Sequence, residues 1–597
     1  MTETKSAVEK PKLIKKPFGK KDSGEHNLTD YEHEKKTFKW GSIHSHFTWS
    51  KTGKVNMAYE CIDRHCAEGK GAKVALIYDT DGKSENYTYD DLKKSSDKFA
   101  NVLRKHGVKK GDRVFIFMPR GPELYVATLG ILKIGGIVGP LFEAFMEEAV
   151  KDRMIDSQSV MMITTPELRP RIPVNDLPDL KSMVYVLGGK GPASYSHELD
   201  AKNSRKIALL NYDEEMKHVS DKSDIEWGNL ETPMILHYTS GSTGKPKGVI
   251  HVQNAMIGQY QTGKWVLDLK ENDIYWCTAD PGWVTGTSYG IFSPWLNGVT
   301  NVVKGGRFSV DAWYKCIQDH KVTVWYSAPT AFRLLMSQGA GKEKQYDMST
   351  LRHICSVGEP LNPEVVHWGL EAYGLPIHDT WWMTETGHML ICNYPSMPIK
   401  PGSMGKPVPG TEAAIVDDAG KVLPPLSMGN LVIRKGWPGM MRQIWNNPAK
   451  YAEYFQHEPW YMSGDSAYMD NEGYFFFEGR IDDVIKTSGE RVGPFEVESA
   501  LIEHPAVAEA GVIGKPDPIR GAIIKAFVVL RPGFTPSDAL KEEIMNYVKT
   551  HLAAHAKPKE IEFMDKLPKT RSGKIMRRVL KAKELGLPVG DLSTMED

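Results

Sequence analysis

The stretch Met234-Ile-Leu-His-Tyr-Thr-Ser-Gly-Ser-Thr-Gly-Lys-Pro-Lys-Gly248 decides how this chain is read. An apolar approach leads into a segment of Gly, Ser, Thr and Lys, the composition of a phosphate cradle. Glycines let backbone N–H groups converge on an anion, hydroxyls donate further bonds, and Lys245 and Lys247 bring positive charge. The candidate binding residues are Thr239, Ser240, Gly241, Ser242, Thr243, Gly244 and Lys245. The segment is not a Walker A loop. That pattern needs a hydroxyl residue after its lysine and a helix to follow, whereas Pro246 follows Lys245 and would break such a helix.

Composition narrows the class. A chain of 597 residues exceeds what one core usually serves, so a large and a small domain are expected. Lys plus Arg equal Asp plus Glu at 75 each, which removes any bulk electrostatic argument for nucleic acid or an anionic membrane. Six scattered cysteines read as reduced thiols of a cytoplasmic enzyme. The longest apolar run, Val126 to Phe142, is broken by Lys133, glycines and Pro140, and reads as buried core rather than a membrane span. Residues 1–26 are lysine-rich and lack a long apolar stretch, and are expected to form a solvated, disordered tail.

Arg113-Val-Phe-Ile-Phe-Met118, Met161-Met-Ile-Thr164 and Val322-Thr-Val-Trp-Tyr326 read as short buried strands, with a helix from Tyr89 through Arg104. Strands alternating with helices predict an α/β fold with largely parallel sheets. Near Pro401-Gly-Ser-Met-Gly-Lys-Pro-Val-Pro-Gly410 the pattern turns to short strands with Gly and Pro turns, predicting a β-rich subdomain. A compact strand and helix pattern follows Gly479-Arg-Ile-Asp-Asp483 to the C-terminus.

Three further segments stand in order after the first: Asp379-Thr-Trp-Trp-Met-Thr-Glu-Thr-Gly387, Ser463-Gly-Asp465 with Gly479 to Asp483, and Pro568-Lys-Thr-Arg-Ser-Gly-Lys574. Together the four resemble the motifs of the adenylate-forming superfamily, which includes acyl-CoA synthetases, firefly luciferase and peptide-synthetase adenylation domains. From about Asn27 onward the chain is similar to the acetyl-coenzyme A synthetase family in its shorter, bacterial type. The resemblance implies two α/β sheet subdomains and a β-barrel-like subdomain in a large domain, residues 27–481. A small mobile α+β domain, residues 482–597, would be hinged at Asp482.

The resemblance also implies roles. ATP would be held by the Thr239 to Lys245 segment and by Gly358, Glu359, Pro360, Asp379, Thr380, Trp381, Trp382, Met383, Thr384, Asp465, Arg480 and Arg491. Trp381 lies beside the adenine, Asp465 binds the ribose, and Arg491 is associated with the phosphates. Glu385 is a Mg²⁺ ligand, and hard carboxylate oxygen suits that ion. A second Mg²⁺ position would use main-chain groups around Ile502, His504 and Val507. Trp382 closes an acyl pocket with Trp283, Val284, Thr285, Gly286 and Val357, sized for acetate. Coenzyme A would meet Thr285, Ser488, Gly489 and Lys549, the last standing where many relatives carry arginine. Lys574 would be the adenylation lysine, with Glu385 and Arg491 completing the catalytic set. Lys574 is also a target for a lysine acetyltransferase and deacetylase, since acylation removes its charge. Acetate, ATP and coenzyme A are then the small-molecule partners, with no nucleic acid and no membrane. Two rivals were weighed: a medium-chain or peptide-synthetase relative, disfavoured by Trp382 and by the short stretch after Lys574, and a non-catalytic adenylate sensor, disfavoured by intact Lys574, Glu385, Asp465 and Arg491.

Overall fold

The computed structural model describes residues 13–16, 24–80, 83–188, 205–239, 246–339, 341–487, 490–518, 520–570, 574–589, 592 and 595, with Glu490 and Arg491 described in their backbone only. Local chemistry sets the first α/β unit. Thr88 Oγ1 accepts from Asp91 N while the Asp91 carboxylate accepts from Thr88 N, a capping box that starts the helix Tyr89–Lys105. The strand Arg113–Phe117 follows, then the helix Pro122–Lys133, opened by its proline and buried nearly all round. The strand Ile137–Pro140 returns parallel to Arg113–Phe117. The apolar run Val126 to Phe142 is therefore helix, turn and strand inside the core, and no described helix is long and apolar enough to cross a membrane.

Two large sheets carry the bulk of the chain. In the eight-stranded sheet, the parallel strands around Arg113–Phe117 end against the antiparallel pair Pro233–Thr239 and Lys247–Val252. Thr239 pairs with Lys247, so the Gly-rich segment joins two antiparallel strands, in contrast to the strand-to-helix setting of a Walker loop. In the thirteen-stranded sheet, Thr300–Lys304, Ile274–Cys277, Val324–Ser327, His353–Val357 and Ile377–Trp381 run parallel in that spatial order. The sheet then continues antiparallel through Ile391–Cys392, Ser403–Pro407, Phe475–Arg480, Trp460–Met469, Gly429–Arg434 and Ala413–Val416. These last strands are the expected β-rich part, bonded directly onto the edge of the parallel sheet.

The turn Ile481–Asp483 leads out of this sheet into a C-terminal unit with its own core, built on Ile485, Val497, Val512, Val528, Ile544 and Ile561 among others. Its hairpin Val507–Asp517 with Gly521–Leu530, a parallel strand Glu560–Phe563, and flanking helices Pro494–Glu503, Asp538–His551 and Arg577–Leu585 give the expected α+β pattern.

The N-terminal stretch departs from expectation in part. Residues 1–12 and 17–23 lie outside the described residues, but Ile14 exchanges backbone hydrogen bonds of 2.9 and 3.0 Å with Ile399 and packs against a core cluster. Downstream, His26 and the Asn27 amide reach Asp268, a fully buried residue at φ +52°. Burial alone would raise the Asp268 carboxyl, but bonds from His26 and Asn27 and the Arg352 charge hold it down at about 2. A solvated tail would make none of these contacts.

Buried charge is also built into the first unit. Lys133, fully buried, pairs with Asp97 at 2.7 Å and Asp63 at 3.0 Å. Removing it leaves two buried carboxylates with only the partly exposed Lys93, 2.7 Å from Asp97 and 3.6 Å from Asp63, to offset them. Lys133→Ala is expected to cost about 3–5 kcal/mol, read as a lower urea midpoint. Lys315→Ala, which breaks an exposed, solvent-screened pair with Asp319, is expected to leave the midpoint where it is.

Candidate active site

The site forms where the parallel strands end, the usual crevice of an α/β sheet. Period-two alternation splits the two adjacent tryptophans of Ile377–Trp381 and its exit. Trp381 donates from Nε1 to Asp465 Oδ2 at 2.8 Å and packs with Leu390, Ile391 and Trp437. Trp382 faces the other way and donates to the Tyr326 hydroxyl at 3.1 Å. Its ring meets Tyr289 edge-on at 5.0 Å and joins one apolar cluster with Val357 and Val284. Trp283 does not join that cluster, because its ring packs on Phe142 at 5.5 Å and Phe145 at 6.2 Å. Thr285 and Gly286 lie on the short helix Val284–Thr287, where a Cβ on Gly286 would stand 2.1 Å from the Asp280 carbonyl.

Several motif residues turn inward. The Asp379 carboxylate accepts from Ser356 Oγ at 2.6 Å, and burial pushes it up to about 7. Thr380 bonds the Ser356 carbonyl and Tyr326. Both brace the strand end that leads to Gly358, which sits at φ +95°. Glu359 is tied to Arg333 at 2.7 Å and Thr330 at 2.5 Å, and Pro360 follows it half-buried. Met383 and Thr386 bond each other across the turn Thr384–Thr386. After it, a Cβ on Gly387 would stand 2.2 Å from the Gly439 carbonyl.

Asp465, buried, receives both Trp381 and the Arg480 guanidinium, the latter at 2.8 Å. Its strand pairs Asp465 directly with Arg480. Glu385 is buried and accepts from the Tyr454 hydroxyl at 3.0 Å. Lys247 lies within its electrostatic reach, and burial and Lys450 push that ammonium below the ordinary lysine range. Burial keeps the nearby histidines neutral: His237 falls to about 3, and His251 and His388 to about 4. They serve as hydrogen-bonding frame, His251 against the Thr384 carbonyl and His237 against Thr287.

Lys574 comes to this site from the C-terminal unit. Its backbone bonds Thr570, and its exposed side chain lies within electrostatic reach of Arg480, Arg577, Asp465 and Glu359. Desolvation by the surrounding protein, then the charges of Arg480 and Arg577, push its ammonium below the ordinary lysine range. Asp482 is exposed in the turn between the two units.

Ser240 to Lys245, Ser488 and Gly489 lie outside the described residues, and Arg491 is seen only as backbone paired with Lys486. Lys549 is exposed on the helix Asp538–His551. Among metal candidates, Glu385 fits a hard dication in its donor type and burial. The Ile502, His504 and Val507 group fits poorly. His504 spends Nδ1 on the Ala506 amide and Nε2 near Glu543, its carbonyl accepts from Val507 N, and the Val507 carbonyl accepts from the Arg531 guanidinium, whose charge repels a cation. Asp79, Cys316 and His320 also lie within ligand range of one another, but Lys304, 3.2 Å from Asp79, already supplies the positive charge there.

Sequence reading missed the supporting groups Tyr289, Tyr326, Tyr454, Arg333 and Asp280. Each is an ordinary residue outside the motifs, found only by three-dimensional contact. It also missed a small cavity beside Thr487, lined by Arg520, His555, Lys557 and Lys559.

Residues 63–445 match the family described as AMP-binding enzyme, and residues 496–574 the AMP-binding enzyme C-terminal domain. The chain is 64% identical over 575 residues to a protein named acetyl-coenzyme A synthetase of Bacillus subtilis (strain 168), covering 96% of this chain and 98% of that one. It is 41% identical to one of the same name from Methanothrix soehngenii, covering 92% and 85%. Among solved structures, a Brucella canis acyl-CoA synthetase aligns at TM-score 0.71 and 33% identity, over 94% of this chain and 99% of that one. The anthranilate CoA ligase AuaEII in complex with anthranoyl-AMP aligns at TM-score 0.79 and 30% identity, over 89% and 98%.

Asp465→Ala removes the acceptor shared by Trp381 and Arg480. The expected outcome is AMP affinity weakened about ten- to hundredfold, the worth of one or two charge-assisted bonds, measured by calorimetry. Unchanged affinity would place the nucleotide elsewhere.

Proposed function

This chain belongs to the AMP-binding enzyme family, and we propose that it is an AMP-forming acetate–CoA ligase, converting acetate, ATP and coenzyme A to acetyl-CoA, AMP and pyrophosphate. The observation that carries the substrate reading is Trp382. Its indole is held by Tyr326 and Tyr289 in one apolar cluster with Val357 and Val284, and so bulky a wall would leave an acyl chain room for only a few atoms. One added methylene is worth only about 1–3 kcal/mol, so propionate is a weaker substrate rather than an excluded one.

In the first half-reaction an acetate oxygen attacks the α-phosphorus of ATP, the bond to the β,γ-diphosphate breaks, and pyrophosphate leaves. Asp465 takes the ribose hydroxyls and Trp381 flanks the adenine. Lys574, already turned toward Asp465 and Arg480, supports the charge shared by acetate and α-phosphate. Glu385 would hold Mg²⁺, which supplies charge neutralisation to the phosphates when bound. In the second half-reaction the thiol sulfur of coenzyme A attacks the acetyl carbon, AMP leaves, and the thiol proton passes to solvent. Rotation about Asp482 would present the Ser488 and Gly489 face for this step. The basic cavity at Arg520, His555, Lys557 and Lys559 opens beside Thr487 and has the charge to meet the phosphates of coenzyme A.

Acetylation of Lys574 by a lysine acetyltransferase, reversed by a deacetylase, would remove the charge the first step uses. The six free thiols fit a reducing, cytoplasmic setting.

Lys574→Ala is expected to abolish acetate-dependent pyrophosphate release while sparing acetyl transfer from supplied acetyl-adenylate. Equal loss of both in folded protein would overturn the division of roles. Trp382→Gly is expected to shift turnover toward butyrate and longer acids, and an unchanged acid preference would remove Trp382 from the pocket wall.

A further inference from the structure

Two carboxyl groups, Glu478 and Glu496, meet across the domain junction, as Glu364 and Glu503 do at a second point. Glu478 lies on Phe475–Arg480, the last strand of the large sheet, and is 5% exposed. Glu496 occupies the first turn of Pro494–Glu503, the first helix of the C-terminal domain, and its Oε1 accepts from Gly493 N at 2.9 Å. The two carboxyl groups converge on Gly493, Glu496 at its amide and Glu478 Oε2 against its α-carbon, within reach of a shared hydrogen bond. The backbone is pressed together at the same point. A Cβ on Gly493 would stand 2.1 Å from the Glu478 carbonyl oxygen and 2.8 Å from its Oε2, and Phe477 meets Phe495 at 6.2 Å.

Two carboxylates cannot share a hydrogen bond unless one of them keeps a proton. No compensating cation is at hand among the described residues. The group facing the pair from the adjacent strand is the Tyr468 hydroxyl, and Glu478 Oε2 has no hydrogen-bond partner. Burial, and for Glu478 the neighbouring Glu496 charge, raise both carboxyls above their ordinary range. The contact belongs to the orientation in which Lys574 faces Asp465 and Arg480, and any rotation about the 481–483 turn carries Glu496 away from Glu478.

We propose that Glu478 and Glu496 are positioning residues, a proton-held latch that seats the C-terminal domain and Lys574 for the first half-reaction and lets go when the proton leaves. This rests on the two-step ligase reading. Apart, the two carboxyls ionise in the ordinary carboxylate range; together they hold protons to higher pH. The seated orientation therefore takes up protons, is favoured as pH falls, and weakens as pH rises from the carboxylate range through neutrality, by up to about tenfold in population per pH unit for each proton taken up.

The test compares wild type, Glu496→Gln and Glu478→Gln from about pH 6.5 to about pH 8.5, a span over which one linked proton can change the orientation by up to roughly a hundredfold. Glutamine keeps the shape, and at position 496 it also keeps the cap to Gly493 N. It donates an amide hydrogen bond to the partner carboxylate with no proton needed. Acetate-dependent exchange of pyrophosphate into ATP reads the first half-reaction, and transfer from supplied acetyl-adenylate to coenzyme A reads the second. The ratio of variant to wild-type exchange is expected to climb severalfold with pH, while the ratio for transfer stays level or falls. A level exchange ratio, or equal changes in both halves, would overturn the latch. Fluorescence distance between probes on the two domains reads orientation without turnover. It is expected to change with pH in wild type and less steeply in Glu496→Gln, where Glu364 and Glu503, which also meet across the junction, still take up a proton; an equal slope in the two proteins, or a pH-independent wild-type distance, would also overturn the latch. If exchange is absent in wild type while the distance still follows pH, the ligase reading fails and the latch stands.

Discussion

The ion pair between Asp465 and Arg480 is the constraint on which the site depends. The two residues face each other in register on adjacent antiparallel strands, so sheet geometry holds the carboxylate and guanidinium together. From that point Asp465 fixes the Trp381 indole, and Arg480 ends the strand from which the chain leaves for the C-terminal domain. Gly464 is required beside them, since at φ +77° a Cβ would stand 2.8 Å from the guanidinium. A single pair thus couples the Trp381 side of the sheet to the start of the segment that carries Lys574.

Much of this was legible in the sequence because motif residues are contiguous and chemically distinctive. The strands around Arg113 and Met161 and the helix from Tyr89 are found where the pattern put them, and Trp381, Asp465 and Arg480, far apart in sequence, are in contact. The limits have a physical cause as well. A motif does not say which of its side chains face substrate and which brace the frame. Asp379, Thr380 and Glu359 stand inside motifs yet spend their polar atoms on Ser356, Tyr326 and Arg333. Trp283, next to the pocket helix, packs instead on two phenylalanines. Tyr454 and Arg333 carry no local signal, since their importance arises only when distant strands meet.

One strand end serves two packing faces. Trp381 and Trp382 are adjacent and point to opposite sides, one toward Asp465 and Trp437 and one toward the apolar cluster with Val357. A shift in the register of Ile377–Trp381 would exchange their faces and damage both clusters at once. Asp379 and Thr380 resist this through their bonds to the neighbouring strand, which accounts for buried polar residues where the surrounding sequence is otherwise apolar.

The tie between Ile14 and Ile399 bears on how the protein is made. The first described residues find their place beside a segment nearly four hundred residues downstream, which a ribosome adding roughly 5–20 residues per second reaches about 20 to 80 s later. During that interval Ile14 is without this partner. Seven lysines among the first 24 residues keep such a waiting segment hydrated and discourage it from pairing with other nascent chains.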